Sequence, residues 1–351
     1  MKKSLMAAAL CACSAGPALA QSNVSIYGVL DLSVARTTGA IASTHTPTAA
    51  LPAFSGNDTK MQSGTLQGSR IGFRGTEDLG GGWSTIFTLE SGILADTGAS
   101  DQSGLLFGRQ AFVGLKNKEL GTLTLGRQYG PEYLAWKLME PMDDGFAGAG
   151  SNLFATNGKR VNNAVKYTTP TMRGVTADVL YGFGEVADNK AANRHIGSSV
   201  MYAEGPLTIR AGYHRQNNAT ATDHSTNYVI GGSYDFRVVK AIIISGSNKG
   251  TGNTDSRDLL LGASIPFGSS TILASYIRKN DRTVANKDAN QWALTYTYDL
   301  SKRTIAYAST AKVSNKNGAN YHTYSATLPV AGQTSAVAGT REFNLGLRHS
   351  F

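Results

Sequence analysis

Short runs of alternating hydrophobic and polar residues follow one another along this chain. Sixteen can be marked, at 23–36, 65–77, 83–95, 105–117, 121–129, 161–170, 174–185, 194–203, 207–217, 225–235, 238–248, 257–265, 269–280, 289–299, 303–313 and 341–351. A period of two puts successive side chains on opposite faces of a strand, so each run predicts a β-strand with one apolar face. In the first run Val24, Ile26, Gly28, Leu30, Leu32 and Val34 take one face, and Ser25, Tyr27, Val29, Asp31 and Ser33 take the other. The last run alternates without a slip, with Phe343, Leu345, Leu347, His349 and Phe351 on one parity and Asn344, Gly346, Arg348 and Ser350 on the other.

The links between runs are of two kinds. From the second run onward every other link is tight: 78–82, 117–120, 170–174, 204–206, 235–237, 266–268 and 300–302. The links between these are longer and polar, above all 37–64, 130–160 and 314–340. Short turns at one end and long loops at the other, joining strands of at least ~9–11 residues, are the pattern of outer-membrane barrels. A soluble sandwich would also alternate, with its apolar face inward, but three features argue against it. An open sheet of sixteen strands would leave unpaired edges. The polar face carries Arg70, Arg74, Glu90, Arg160 and Lys166, which a packed core would not tolerate. Aromatic residues gather near run ends, where membrane-interface girdles belong. The predicted fold is therefore all-β: a sixteen-stranded antiparallel transmembrane β-barrel, with both chain ends on the short-turn side.

Composition sharpens this picture. Lys2 and Lys3, the apolar run from Leu5 to Ala15 and the Ala18-Leu19-Ala20 site predict a cleaved signal peptide over 1–20, leaving 21–351 as the barrel. Both cysteines, Cys11 and Cys13, fall in the removed segment, so neither a disulfide nor a thiolate metal site is expected. A lipoprotein leader is a poorer match to Leu10-Cys11-Ala12-Cys13. The whole chain carries a formal charge of +9, which suits anionic lipid, nucleic acid or anionic solutes. No segment of the mature chain approaches the ~20 apolar residues of a membrane helix.

Four spaced motifs narrow the reading: the stretches 69–80 (SRIGFRGTEDLG), 108–116 (GRQAFVGLK), 125–130 (LGRQYG) and 298–304 (YDLSKRT). With the terminal Phe351 they make the chain resemble the trimeric general-diffusion porins of Gram-negative outer membranes, in their beta-proteobacterial branch. The resemblance implies a third long loop, here 130–160, folded into the lumen, and a ladder of wall arginines facing an acidic loop segment. By motif position Arg70, Arg109 and Arg160 match the wall arginines, and Arg74 and Lys166 share parity with Arg70 and Arg160 on their own strands. The loop segment 140–146 (EPMDDGF) holds Glu140, Asp143 and Asp144. It places Met142 directly after the proline, where the family has an acid, so the residues leave open which carboxylate faces the pore. Strict alternation would turn Arg109 toward lipid with Ala111, Val113 and Leu115. A lipid-facing arginine costs ~2–4 kcal/mol at the midplane, so the motif is followed and Arg109 is expected in the lumen.

These features together imply a passive channel for small hydrophilic solutes and ions. An excess of arginine at the narrowest point favours anions. The resemblance further implies a homotrimer in outer-membrane lipid and lipopolysaccharide, with Phe351 read as an assembly signal by the barrel-assembly machinery, and no nucleic-acid partner. A channel specific for one nutrient anion is the nearest alternative, and a barrel enzyme a more distant one. Neither G-x-S-x-G, H-E-x-x-H nor a Walker loop occurs, so no catalytic residue and no cofactor is assigned. Gly80-Gly81-Gly82 reads as a turn, since no helix follows it. The six histidines show no ligand spacing, and no metal site is assigned.

Overall fold

A computed structural model describes residues 23–39, 57–155, 158–323 and 339–351. The predicted signal peptide and the middles of the first and last long loops lie outside the described residues. The strands are β1 (Asn23–Thr38), β2 (Asp58–Ser63), β3 (Arg70–Gly80), β4 (Trp83–Leu94), β5 (Ala99–Ser100), β6 (Gln110–Asn117), β7 (Gly121–Tyr129), β8 (Arg160–Thr168) and β9 (Val175–Gly182). They continue with β10 (His195–Glu204), β11 (Leu207–Asn217), β12 (His224–Asp235), β13 (Lys240–Gly250), β14 (Thr254–Phe267), β15 (Ser270–Asp281), β16 (Ala289–Asp299), β17 (Thr304–Asn315) and β18 (Arg341–Ser350). One helix, α1 (Pro131–Lys137), lies between β7 and β8.

Each strand pairs antiparallel with its neighbours, and β18 closes on β1 from Val29↔Ser350 to Thr38↔Arg341. The result is a closed sixteen-strand barrel. Two of the eighteen strands do not add positions to it. β2 and β3 share one place in the wall, because β1 pairs with β2 over Leu32–Thr37 and with β3 over Asn23–Val29. β5 only pairs with the end of β4.

All sixteen predicted runs have a counterpart, with two corrections. Residues 65–69, assigned to the second run, leave the ladder as an inward bulge, and 58–63, read as loop, form β2. Residues 105–109, assigned to the fourth run, precede the start of β6 at Gln110. The bulge is held inward by the Asp31 carboxylate, a contact that alternation does not register.

The apolar parity faces out. Along β1, Ile26 and Leu30 are 64% and 44% exposed, whereas Asp31 and Thr37 are fully buried. This inverts a soluble core and is what lipid solvation requires. Tight turns join the strands at one end. Gly80, Gly81 and Gly82 all have φ between +59° and +80°, a left-handed run that only glycine adopts readily, which confirms the turn reading of that triplet.

The buried apolar core lies inside the barrel. Residues 130–155 fold into the lumen and pack Tyr133, Trp136, Met139, Leu153 and Phe154 against inward side chains of β12 to β17, including Ile244, Leu260 and Ile277. A second cluster sets Met142 and Phe146 against Ala293, Tyr307 and Ala311.

The chain end is tied to the same wall. Gly28 and Phe351 exchange backbone hydrogen bonds of 3.1 Å each, and a Cβ built on Gly28 would lie 2.2 Å from Phe351 Cζ. Gly28→Val should displace that ring, at the ~1–3 kcal/mol typical of overpacking. The expected result is a lower temperature of conversion from compact to extended form in heat-dependent gel mobility.

Candidate functional site

The loop is pinned where it meets the wall. Its backbone passes through the left-handed region at Asp143, Asp144 and Phe146, with φ of 53°, 54° and 57°, a conformation that for Phe146 costs energy and needs support. Support comes from three directions. Phe146 N–H donates to the Thr65 carbonyl of the inward bulge, and its ring meets Tyr307 edge-on at 5.2 Å. Wall side chains then reach loop carbonyls: Gln291 Nε2 donates to Gly148 O at 2.8 Å and Lys279 Nζ to Leu153 O at 2.8 Å. Gly148 sits so close to the wall that a Cβ there would lie 2.1 Å from Ala293 Cβ.

The bulge at 64–69 is held in turn by Asp31. Its Oδ2 accepts from the Leu66 and Gln67 amides at 2.6 Å each, and its Oδ1 accepts from Tyr307 Oη at 2.5 Å. A buried carboxylate with three donors is well satisfied, and this one joins β1, the bulge and β17.

On the side of the loop away from its docking wall, a cavity of about 200 Å³ is lined by Arg70, Arg109, Arg160, Lys137, Lys159 and the carboxylates of Asp101, Asp143 and Asp144, with Gln67, Tyr129 and Tyr133 among them. Arg109 Nε donates to Glu90 Oε1 at 2.8 Å and Nη2 to Tyr129 Oη at 2.8 Å. Arg70 Nη1 lies 3.9 Å from Glu90 Oε2. Arg160 Nη2 donates to Tyr129 Oη at 3.2 Å, and its guanidinium lies over that ring at 5.1 Å. Tyr129 stacks on Tyr133 at 5.7 Å, Tyr133 meets Trp136 edge-on at 5.4 Å and Trp136 stacks on Phe154 at 5.7 Å. This aromatic column carries the basic wall into the loop core.

Each loop carboxylate has a distinct place. Asp143 is paired with Lys137 and accepts from Gln67 Nε2 at 2.8 Å. Asp144 Oδ2 lies 2.9 Å from Lys159 Nζ and accepts from Tyr133 Oη at 2.9 Å, while Oδ1 accepts from the Ser151 amide at 3.0 Å. Burial works against the Asp144 carboxylate, but Lys159 and the hydrogen bonds from Ser151 and Tyr133 outweigh it and hold its pKa below the usual range. Glu140 lies beneath the loop, 4% exposed. Its Oε2 accepts the Asp144 amide at 2.7 Å, and its Oε1 is buried with no hydrogen-bond partner. Burial pushes its carboxyl well above the usual range.

The cavity thus brings together Arg70, Arg109, Arg160, Asp143 and Asp144 of the predicted residues. Arg74 lies elsewhere on the inner wall, 5.1 Å over the Tyr27 ring in a separate recess toward the short turns. Lys166 faces inward opposite Thr124 and Leu180, with Asp178 supplying the opposite charge. Arg109 occupies a bend one residue before β6, which frees it from the alternation that exposes Val113 and Leu115.

Lys137, Lys159 and the aromatic column were not anticipated. Their available signal was that β13 reads apolar on both faces, Ile242 and Ile244 as well as Ile243, which a barrel wall needs only where something docks inside. Two histidines also meet without sequence spacing to announce it: His195 Nδ1 and His214 Nε2 are 3.1 Å apart. Among the described residues no group of three or more His, Cys, Asp or Glu side chains is placed to hold a metal.

A family model described as Gram-negative porin matches residues 7–318. The chain belongs to the Gram-negative porin family. It is 34% identical to an outer membrane porin protein of Bordetella pertussis over 88% of this chain and 93% of that one. It is 32% identical to outer membrane porin protein 32 of Delftia acidovorans, with 100% of both chains covered. Among solved structures, an anion-selective porin from Comamonas acidovorans superposes with a TM-score of 0.77 at 28% identity, over 94% of this chain and 100% of that one. This porin is accordingly an outer-membrane channel for passive diffusion.

Two consequences for this porin can be measured. Trp136→Ala should loosen the docked loop by the ~3–5 kcal/mol typical of a large buried aromatic, and single-channel recordings should then show larger, noisier conductance. The second concerns Glu140. Because the docked loop keeps the Glu140 proton where an undocked loop would have lost it, docking is favoured at low pH and weakens as pH rises above the ordinary carboxylate value of 4.5. Conductance and its noise should therefore rise with pH, and Glu140→Gln should remove that dependence.

Proposed function

We propose that this porin is an anion-preferring diffusion channel whose narrowest point lies between Arg70, Arg109 and Arg160 on the wall and Asp143 and Asp144 on the loop. One observation carries the reading: five cationic and three acidic side chains line a single cavity, and two of the three acids are already paired with cations. Asp143 pairs with Lys137, Asp144 with Lys159, and Glu90 behind the cavity with Arg109. Arg160 has no carboxylate partner among the described residues, and its Nε is buried without a hydrogen-bond acceptor. A passing anion finds the Arg160 guanidinium uncompensated, whereas a cation meets the paired carboxylates of Asp143 and Asp144. Cationic linings select anions in this way, and the Comamonas acidovorans relative is anion-selective.

Arg74 and Lys166, both toward the short-turn ends of their strands, extend the positive potential along the lumen, and Glu140 acts by holding the loop rather than by meeting solutes. The field across the opening orients small polar solutes and penalises apolar ones, which must displace ordered water. No bond is made or broken, and the channel requires no cofactor. The same reading has the chain exported through a cleaved leader over 1–20, with Phe351 engaging the barrel-assembly machinery. It has the mature barrel as a homotrimer surrounded by phospholipid and lipopolysaccharide.

Planar-bilayer recording under a salt gradient, with ions of unequal mobility, tests the central point. The wild type should show an anion-selective reversal potential. Gln at Arg70, Arg109 and Arg160 together should move it toward the cation side by a clear margin, with Arg160→Gln alone giving a substantial part of the shift. An unchanged reversal potential in the triple variant would place the selectivity elsewhere.

A further inference from the structure

Two histidines meet at the neck of the inward loop, where the chain leaves β7 and returns into β8. His195 opens β10 and His214 lies on β11. The register sets His195 opposite Gln216 and Gly197 opposite His214, so the two rings are diagonal neighbours on the inward face. His195 Nδ1 and His214 Nε2 are 3.1 Å apart. His214 is fully buried, and its other nitrogen, Nδ1, has no hydrogen-bond partner.

The loop closes directly on this pair. Gly130 N–H donates to Gly158 O at 3.1 Å, which joins the two ends of the loop. A Cβ built on Gly158 would lie 2.4, 2.5 and 2.7 Å from Cε1, Nδ1 and Nε2 of His214, so the returning chain lies flat against that ring. A Cβ built on Gly197 would lie 3.1 Å from Pro131 Cδ, at the start of α1, and 3.3 Å from His214 Nδ1. Both ends of the loop therefore rest on His214 and the strand beside it. Asn227, opposite His214 on β12, adds a tie by donating from Nδ2 to Ala155 O at 3.1 Å.

This geometry accommodates one proton between the rings. When His214 Nε2–H donates to His195 Nδ1, the contact between them is satisfied. A further proton either sets two N–H groups face to face or moves one of them to His214 Nδ1, where no acceptor waits beneath Gly158. A buried charged donor without an acceptor is costly. The surrounding charges do not offset that cost. Glu132 of α1 stands beside Gly212, the next inward position on β11, and Asp178 of β9 is taken up by Thr168 and Ser199. On the basic side Arg194 precedes His195, Arg215 donates to Asn217, Lys159 is paired with Asp144, and Arg160 lies over Tyr129. Among the described residues no carboxylate is paired with either imidazole.

We propose that His195 and His214 form an acid-sensitive latch for the inward loop: neutral, the pair seats the neck against the wall, and charged, it releases it. Lifting Gly158 opens His214 to water, which supplies the missing acceptor, so the released neck takes up protons more readily and acid favours release. Release sets in below ~6.5, the ordinary imidazole value, and grows as pH falls. Each proton bound only by the released form shifts the equilibrium by up to ~10-fold per pH unit. The latch rests on the reading of 130–160 as the constriction loop and adds to it the groups that control its seating.

The test is single-channel recording of the assembled porin, wild type and H214Q, in steps from about pH 7.5 to about pH 5, a range that brackets imidazole titration. The Glu140 carboxyl acts with the opposite sign and is common to both proteins, so the two are compared at each pH. The ratio of wild-type to H214Q current noise should rise severalfold as pH is lowered, and a constant ratio would overturn the proposal. Hydrogen exchange of residues 130–138, measured at matched pH, should be faster in the wild type than in H214Q at the acid end only. Equal exchange there would show that the neck does not lift and would overturn it as well. Should H214Q fail to assemble, His195→Gln should give a smaller divergence from wild type of the same sign, and no divergence would count against the latch. Reversal potential reports the wall arginines and acid-induced noise reports the neck, so either proposal can fail without the other.

Discussion

The constraint on which everything else rests is that lipid offers no hydrogen bonds. A strand crossing a bilayer must pair both of its backbone edges, so the sheet must close. Here closure is made by β18 against β1, continued at the chain end by the reciprocal Gly28 and Phe351 bonds. Once the wall is closed and its outer face must be apolar, alternation forces the other parity inward, and that parity becomes the polar lining of a space that sixteen strands leave too wide for side chains to fill. The alternation of the sequence, the closed ring of strands and the open lumen are three results of one requirement.

A lumen of that width has no core, and the segment 130–155 supplies one. Its apolar residues find partners along β12 to β17, where Ile244, Leu260, Ile277 and Ala293 point inward among otherwise polar positions, and its helix backs through Ala135 onto Gly212 of β11. The loop is thereby drawn to one side of the barrel, and the opposite side keeps Arg70, Arg109 and Arg160. Segregation of apolar and basic wall residues is what produces two charged faces across a narrow gap. The field is as much a product of hydrophobic packing as of the charges themselves.

Within that gap most charges are restrained. Asp31 fixes the inward bulge, the bulge carbonyl at Thr65 fixes Phe146, and the loop carboxylates are held by Lys137 and Lys159. Glu90 binds Arg109 firmly and Arg70 at longer range. Such pairing limits the reorganisation that a passing ion must cause, and it leaves Arg160 as the cation with the most unused capacity.

The sequence by itself determined the strand number, the outward parity and the tight turns, because a period of two and short links follow from local chemistry alone, whereas the inward loop was implied by the family resemblance. Motif spacing pointed to Arg70, Arg109 and Arg160; alternation put Arg70 and Arg160 on the polar face but turned Arg109 toward lipid, and the structure shows why it is an uncertain guide at these positions. Arg70 opens β3 after a bulge, Arg109 occupies a bend before β6, and Arg160 opens β8 opposite Tyr129, beyond a register shift between Gly126 and Gln128. Alternation is a property of regular strand, and all three stand where it starts or breaks. Which loop carboxylate meets the cavity, the burial of Glu140, the pairing of His195 with His214 and the side of the barrel on which the loop lies were decided only by tertiary structure. Each of them depends on groups brought together from distant strands, and the energy that selects one arrangement lies in contacts that no local pattern encodes.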